Sequence, residues 1–446
     1  MPRLAGATRA VLLGAARAGP LGLPVGALGI WDFAQISGTT VKNLVAPGSG
    51  DLIMASAPTV TNGVADLSGG KTGQIALPAA VSIGDCTVIA VTRRKAAGAN
   101  ASFQPWFSKK EDYTAWAAGL NHVSTPAPSI VYASTYPGLL QRSTNLFSPI
   151  GSALRVFTHV MIGTTFKSYI NGVEILTNTG TTVTPQSVQN LYFNTLQSAA
   201  FYQGAEYAVC AIYLRALSPA EVLAASNRLL AYATANGYSL APFRVVMVVG
   251  NSIAYGQAGN VGVGGYPERM APNMATQVNG GNLGVASTNY TYLTSIRAQV
   301  VGIINAVKAA GGKIVICCHG GENEPAQVST DPSVVAAGYA TEHAAWRAAG
   351  ARTVQSTICE RGDNLGGIST ATFNTFRAAF NTAVRNAVGT SWDACADIAS
   401  DSVMGIDGAS ANATYFAADK VHYADAGHAK VEPLGRAAAD AAMALA

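Results

Sequence analysis

Charged residues are scarce in this chain: they make up 12% of its 446 residues, about half the usual share of a soluble protein. The 28 basic and 24 acidic residues leave a net charge of +4, with no basic run and no patch of interleaved basic and aromatic residues. This pattern disfavours nucleic acid as a partner, because binding to phosphates depends on clustered Lys and Arg. Such a composition suits a rigid, assembled or extracellular particle better than a crowded cytosol.

Long apolar runs and paired cysteines are also missing. No uncharged apolar stretch reaches 18 residues, so no membrane span is expected. We expect no signal peptide, because Arg9 and Arg17 interrupt the apolar N-terminal segment. Neither the six cysteines nor any His, Asp and Glu set has the spacing of metal ligands, so we expect no cofactor. We interpret the cysteines as reduced core residues, with disulfides as the less favoured alternative.

The strand and helix patterns of the sequence change along the chain, and its length is sufficient for two domains. Residues 30–236 contain many short β runs separated by Gly, Pro, Asn and Ser, which predicts an all-β sandwich. Residues 1–29 are either a flexible leader or an arm that docks onto a second copy or a larger assembly. Residues 237–243 are the predicted linker. Residues 244–446 alternate between strand and helix patterns, as in a parallel sheet covered by helices.

Two local signals refine the first domain. Asn171-Gly172 lies between two β runs and predicts a two-residue hairpin turn. Ser218-Pro-Ala-Glu221 is a capping box with proline at the first helical position. A helix should therefore begin there and continue to about residue 235.

A candidate nucleophile follows the first strand pattern of the second domain. Val245–Val249 are apolar and mostly β-branched, which indicates a strand buried on both faces. Gly250-Asn251-Ser252 then places a hydroxyl at the carboxyl end of that strand, the edge where open α/β sheets bind ligands. Alone this is a weak signal, because Gly and Ser are common turn residues.

A carboxylate and an imidazole stand three residues apart near the carboxyl terminus, at Asp419 and His422. On one turn, Asp419 can accept a hydrogen bond from one ring nitrogen of His422, so that the other nitrogen faces Ser252. Serine needs such a base, since its hydroxyl is a poor nucleophile at neutral pH. The sequence therefore predicts a Ser252, His422 and Asp419 triad.

These two stretches resemble the SGNH (GDSL-type) hydrolase family, which has Gly-Asp-Ser near the start of its domain and Asp-x-x-His near the end. Asn251 replaces the family's aspartate, which is not the triad acid. The resemblance implies a three-layer, flavodoxin-like α/β domain with a parallel sheet, and an esterase that needs no cofactor.

The same resemblance implies an oxyanion hole. The family's Gly-x-Asn-(Asp/Glu) block matches Gly321–Glu324, so Asn323 inherits the role of side-chain donor to the oxyanion. The backbone donors are the N–H of Ser252 and that of a glycine in an Asn-x-Gly-x-x-Gly setting. The matching segment, Asn282–Ser287, ends in serine, so the second backbone donor is either Gly284 or Ser287.

The first domain resembles concanavalin A-like (laminin-G-like) jelly rolls. The segments that carry this resemblance are Trp31–Phe33, Ser37–Thr40, Phe157–Val160, Tyr169–Gly172 and Ala208–Ser218. The resemblance implies a module for glycan binding or for packing in an assembly.

Two functions from different classes follow. The first is an extracellular or virion-associated esterase that removes O-acetyl groups from a polysaccharide, with assembly through the N-terminal arm. The second is a catalytically idle structural or adhesive subunit of a phage tail or capsid surface. Asn251 and Ser287, the departures from the family motifs, favour the second.

Overall fold

In the computed structural model, the described residues are 19–67, 71–94, 104–108, 117–120, 129–130, 133–134, 147–148, 154–163, 165–179, 186–193, 205–238, 240, 243–257, 269–270, 274–275 and 278–446. Antiparallel β structure fills the first part of the chain. Strands and helices alternate in the second part, as the sequence predicts.

Two antiparallel sheets contain most of the strands of the first part. Its strands are β1 (Ala27–Asp32), β2 (Thr40–Val41), β3 (Leu52–Met54), β4 (Thr59–Thr61), β5 (Val64–Asp66), β6 (Gly73–Ile83), β7 (Cys86–Arg94), β8 (Gln104–Ser108), β9 (Ala117–Leu120), β10 (Ser129–Ile130), β11 (Ala133–Ser134), β12 (Phe147–Ser148), β13 (Arg155–Ile162), β14 (Thr165–Ile170), β15 (Val173–Thr179), β16 (Gln186–Phe193) and β17 (Ala205–Tyr213). One sheet has the order β15-β14-β13-β7-β17-β5-β4, with β1 also paired to β17. The other has the order β11-β9-β8-β16-β6-β3-β2.

The period-two alternation of β7 shows how these sheets pack. Cys86, Val88 and Ala90 face a core that also contains Leu52 and Leu191 of the second sheet. The intervening Ile89 and Val91 face the opposite side, where the helix Pro219–Ala235 covers the sheet. This part is therefore two packed sheets with a helix outside them, and the finer jelly-roll topology stays a prediction.

The helix predicted after Ser218 and the turn predicted at Asn171-Gly172 are both present in the structure. The side chain of Ser218 accepts the N–H of Glu221 at 3.3 Å, and Glu221 accepts the N–H of Ser218 at 2.9 Å, which completes the capping box. Asn171 and Gly172 join β14 to β15 with φ of 50° and 83°, as a type I′ turn requires.

The predicted boundary of the N-terminal arm at residue 29 differs from the structure. β1 begins at Ala27, Leu23 is completely buried, and the Tyr213 hydroxyl donates to the Pro24 carbonyl at 3.2 Å. Residues 19–29 therefore pack on the sandwich, because their apolar side chains and strand hydrogen bonds find partners there. Residues 1–18, the rest of the predicted arm, lie outside the described residues.

The second part contains a five-stranded parallel sheet. Its strands are β18 (Arg244–Gly250), β19 (Asn279–Asn282), β20 (Lys313–His319), β21 (Arg352–Ser356) and β22 (Ala394–Ala396), in the order β19-β18-β20-β21-β22. β12 and β10, which belong to the first part of the chain, extend this sheet beyond β19 with antiparallel pairing. The long helices are Tyr290–Ala309, Pro332–Ala348, Thr370–Asn386 and Asp425–Leu445, and the one-turn helices are Ser252–Tyr255 and Glu324–Gln327.

Helices cover both faces of the parallel sheet. Val245, Met247 and Val249 of β18 pack in the same core as the helices Tyr290–Ala309, Pro332–Ala348 and Thr370–Asn386. Val246 and Val248 face the other side, towards the helix Asp425–Leu445. This three-layer arrangement agrees with the prediction of an α/β domain with a buried parallel sheet.

None of the six cysteines forms a disulfide, and all except Cys395 are buried, which agrees with their interpretation as reduced core residues. Within the described ranges, no helix combines the length and the apolar character needed to cross a membrane.

Candidate active site

A sharp turn at the end of β18 presents Ser252 at the carboxyl edge of the sheet. Gly250 pairs with His319 of β20 and has φ of 135°; a Cβ there would lie 1.8 Å from the His319 carbonyl oxygen. The Asn251 side chain then accepts the N–H of Ile253 at 3.0 Å and caps the one-turn helix that begins at Ser252. The chain therefore reverses within two residues and leaves the serine hydroxyl at the strand end.

The segment before the last helix brings an imidazole to that hydroxyl. His422 Nε2 lies 2.8 Å from Ser252 Oγ, and His422 Nδ1 lies 2.6 Å from Asp419 Oδ2. The other carboxylate oxygen of Asp419 accepts the N–H groups of Val421 and His422, each at 3.0 Å. Asp419 thus holds both the backbone of its turn and the imidazole ring.

The electrostatics of Asp419 agree with this geometry. Partial burial alone would raise the pKa of its carboxyl group, but the hydrogen bonds from the His422 ring and from two backbone N–H groups outweigh it and lower the pKa. An ionised Asp419 accepts the Nδ1–H of a neutral His422. The Nε2 atom is then free to accept the proton of Ser252.

Another Asp and His pair, Asp425 and His428, has the same spacing, and each of these two residues contacts a different partner. Asp425 forms an ion pair with Arg269. His428 is completely buried, with Nε2 3.5 Å from the Gln257 carbonyl oxygen, and burial lowers its pKa to about 3. His428 is therefore a packing residue.

Only one of the two candidate backbone donors of the Asn282–Ser287 segment is free. The Gly284 N–H donates to the side chain of Asn282 at 2.7 Å. Ser287 is exposed, and the described hydrogen bonds include none donated by its N–H. Its φ of 60° is the left-handed conformation that favours glycine, which matches the glycine that the family has at the end of this motif. Ser287 is thus the better candidate.

Hydrogen bonds hold the Ser287 segment against the turn that carries Ser252. The Val285 N–H donates to the Gly250 carbonyl at 2.9 Å, and the Thr288 hydroxyl donates to the same oxygen at 3.3 Å. Asn323, at the start of the helix Glu324–Gln327, donates from Nδ2 to the Thr288 carbonyl at 2.8 Å. Through Thr288 and Gly250, these bonds connect the Asn323 side chain to the turn before Ser252.

Arg361, which no sequence motif indicates, contacts the other end of the Asn323 amide. Its Nη1 donates to Asn323 Oδ1 at 3.0 Å and to the Glu322 carbonyl at 2.7 Å. Its position shortly after β21 is the available signal, because charged residues just beyond a buried parallel strand lie at the same sheet edge as Ser252.

A second missed residue, Glu322, explains the asparagine at position 251. Asn251 Nδ2 donates to Glu322 Oε2 at 2.6 Å, and His319 Nε2 lies 2.7 Å from Glu322 Oε1. Glu322 is 3% exposed; burial would raise its pKa, but His319 and Asn251 together lower it. An aspartate at position 251 would face this carboxylate, whereas an asparagine donates to it. His319 is thereby a structural residue.

Within the part of the chain that the structure describes, no group of three or more His, Cys, Asp and Glu residues is arranged to hold a metal ion. His343 is completely buried, and its Nε2 lies 3.0 Å from Gln355 Oε1. It belongs to the core.

Comparison with known proteins adds structural likenesses at low similarity. Searches with protein-family models and among curated proteins find no match. Among solved structures, the chain is similar to a sialidase from Trypanosoma rangeli, with 14% sequence identity and a TM-score of 0.33. That alignment covers 48% of this chain and 35% of the sialidase, so the chain spans about a third of that protein.

Two other neighbours are matched over nearly their full lengths. A candidate SGNH hydrolase from Slackia heliotrinireducens has 18% identity and a TM-score of 0.33, with 44% of this chain and 99% of that chain covered. A catalytic mutant of Axe2, an acetylxylan esterase from Geobacillus stearothermophilus, has 12% identity and a TM-score of 0.32, with 44% and 93% covered. The neighbours thus include SGNH-type hydrolases and esterases, and at this similarity they identify no substrate for this chain.

Proposed function

We propose that the chain is a serine esterase of the SGNH type. The observation that supports this most directly is the pair of contacts on His422, with Ser252 Oγ 2.8 Å from one ring nitrogen and Asp419 Oδ2 2.6 Å from the other. Residues 170 positions apart in sequence meet here in the order that nucleophilic catalysis needs, from nucleophile to base to orienting acid.

In the proposed reaction, Ser252 Oγ attacks the ester carbonyl carbon while His422 Nε2 takes the hydroxyl proton. The tetrahedral intermediate collapses as His422 returns that proton to the departing alcohol, which leaves an acyl group on Ser252. Water then attacks the acyl group, with His422 again as base, and the carboxylic acid leaves as His422 returns the proton to Ser252 Oγ. Asp419 keeps Nδ1 protonated and stabilises the imidazolium in each step.

The proposed oxyanion donors are the N–H groups of Ser252 and Ser287 and the side chain of Asn323. The Ser252 N–H lies at the start of a helix, where backbone N–H groups have no partner within the helix. Asn323 has a second amide hydrogen beyond the one that it gives to Thr288. A single donor of this kind stabilises the transition state by about 3 kcal/mol.

For the substrate, we propose the O-acetyl groups of a polysaccharide, in an extracellular or virion-associated setting. The adjacent two-sheet domain would bind the glycan or contribute to an assembly. Its resemblance to lectin-like jelly rolls and the low charge of the chain support this choice. The catalytically idle structural subunit remains the second candidate, because Ser287 replaces the glycine that the family has at this position.

Hydrolysis of p-nitrophenyl acetate by the wild-type protein and by Ser252→Ala separates the two candidates. An esterase should release p-nitrophenol above the buffer rate, and this release should fall to the buffer rate in Ser252→Ala. A fluorophosphonate probe should label the wild-type protein at one site and leave Ser252→Ala unlabelled. Equal background rates for both proteins would contradict the esterase and favour the idle subunit.

A further inference from the structure

Arg361 is buried beside the candidate oxyanion donor and has its hydrogen-bonding groups committed on two sides. It is 6% exposed. Nη1 donates to Asn323 Oδ1 and to the Glu322 carbonyl, while Nε and Nη2 donate to the two carboxylate oxygens of Asp363, each at 2.7 Å. The guanidinium is thus fixed between the Asn323 loop and its own loop.

Flanking residues also fix the loop that carries Arg361. The carboxylate of Glu360 accepts the N–H groups of Gly408 and Ser410, each at 2.9 Å. The Gly362 N–H donates to the carbonyl of Lys420 at 2.9 Å, next to Asp419. One short segment therefore connects Asn323 to the loop that carries the other end of the candidate triad.

The chemistry of arginine decides which end of the Asn323 amide faces it. A guanidinium has only hydrogen-bond donors, so the group against it must be the amide oxygen. The Nδ2 group then points away from Arg361, towards Thr288 and the Ser287 segment. A positive charge at the amide oxygen also draws electron density from Nδ2, which makes the N–H groups better donors to a developing negative charge.

We propose that Arg361 is a positioning residue for the oxyanion donor Asn323. Arg361 binds the amide oxygen of Asn323 and so keeps the Nδ2 group turned towards the candidate site. Its positive charge also polarises the N–H groups of that amide. Arg361 is buried against Asn323 and the Glu322 carbonyl, so its effect on the reaction passes through Asn323. This inference rests on the proposed esterase function and adds a residue to its machinery.

The first test measures kcat and KM for p-nitrophenyl acetate in Arg361→Met and Arg361→Lys. Loss of a complete oxyanion donor costs about 10² to 10³ in kcat. Loss of its positioning group should cost about 10-fold to 10²-fold, with KM within about twofold, because the oxyanion exists only after attack. Arg361→Lys keeps the charge without the planar fork and should lie between Arg361→Met and the wild type.

Arg385 provides a matched control, because it also forms a two-point pair with an aspartate, donating to Asp397 at 2.9 and 2.8 Å. Arg385→Met removes a similar ion pair from the helix Thr370–Asn386, away from Asn323. Its kcat should equal that of the wild type. Should Arg361→Met fail to fold, Arg361→Lys carries the comparison, with thermal unfolding as the check on folding.

A double-mutant cycle with Asn323→Ala distinguishes positioning from a general structural effect. If Arg361 acts through Asn323, Asn323→Ala/Arg361→Met should have the kcat of Asn323→Ala alone. A further loss by the full factor seen in the single variant would overturn the proposal, as would a wild-type kcat in both Arg361 variants. A wild-type protein without Ser252-dependent turnover would instead refute the proposed esterase, and the role of Arg361 with it.

Discussion

At the scale of single residues, Asn251 shows how one departure from a family motif is accommodated. Its amide oxygen accepts the N–H of Ile253, and its amide nitrogen donates to the buried carboxylate of Glu322. The substitution of Asn for the family's Asp therefore keeps the helix cap and removes a negative charge from beside Glu322. It fits the local electrostatics and does not by itself indicate an idle site.

Asn251→Asp, which restores the family's residue, should destabilise this protein by about 2 to 3 kcal/mol at pH 7, because two buried carboxylates would share the contact. The pair would have a raised pKa in the folded state. The destabilisation is thus absent where both carboxyls are protonated, and it grows as the pH rises through that raised pKa. Thermal unfolding at pH 5 and pH 8 should show the larger deficit at pH 8.

A compensating substitution supplies the control for this prediction. Glu322→Gln removes the second carboxylate, so Asn251→Asp/Glu322→Gln should lose the extra deficit at pH 8. An Asn251→Asp variant with the stability of the wild type at pH 8 would show that the two side chains do not face each other in solution.

Asn323 should act on the transition state and not on substrate binding, because the oxyanion appears only after Ser252 has attacked. Asn323→Ala should therefore lower kcat by roughly 10² to 10³ with little change in KM. Steady-state kinetics on p-nitrophenyl acetate measures both constants. A raised KM with unchanged kcat would instead make Asn323 a substrate-contact residue.

At the scale of secondary-structure elements, the turn between β18 and the helix at Ser252 depends on a glycine. Any side chain at Gly250 would collide with the His319 carbonyl oxygen of the neighbouring strand, at a φ that other residues rarely adopt. The close pairing of β18 with β20 and the position of Ser252 therefore both require glycine at position 250.

Gly250→Ala should separate these two strand ends, with a loss of several kcal/mol in stability and of labelling of Ser252 by a fluorophosphonate probe. Gly302→Ala is the control, because an added Cβ at this exposed helical position would meet nothing within 4 Å. That variant should be about 0.5 to 1 kcal/mol more stable than the wild type. Thermal unfolding and probe labelling measure both, and similar behaviour of the two variants would contradict the prediction.

At the scale of the whole molecule, the role predicted for the N-terminal arm now concerns residues 1–18, since residues 19–29 pack on the sandwich. If residues 1–18 dock onto a second copy or a larger assembly, their deletion should lower the mass in light scattering. Hydrolysis of p-nitrophenyl acetate should be unchanged, because Ser252 and His422 lie in the other part of the chain. An unchanged mass would identify the segment as a plain leader.

Features that depend on neighbouring residues could be predicted from the sequence alone. The capping box at Ser218 and the Asn171-Gly172 turn are set by backbone preferences and by hydrogen bonds within four residues. The approach of Ser252 to the Asp419 and His422 turn could also be predicted, because serine needs a base and an orienting acid and because both stretches resemble the SGNH motifs.

Only the tertiary structure decided the contacts between residues that are distant in the sequence. The Asn251 side chain donates to Glu322, 71 positions away. The contact between Arg361 and Asn323 joins residues 38 positions apart on loops that follow different strands. Periodicity and motif spacing contain no record of such pairings, because they exist only once the strands are in register and the loops at their ends are packed.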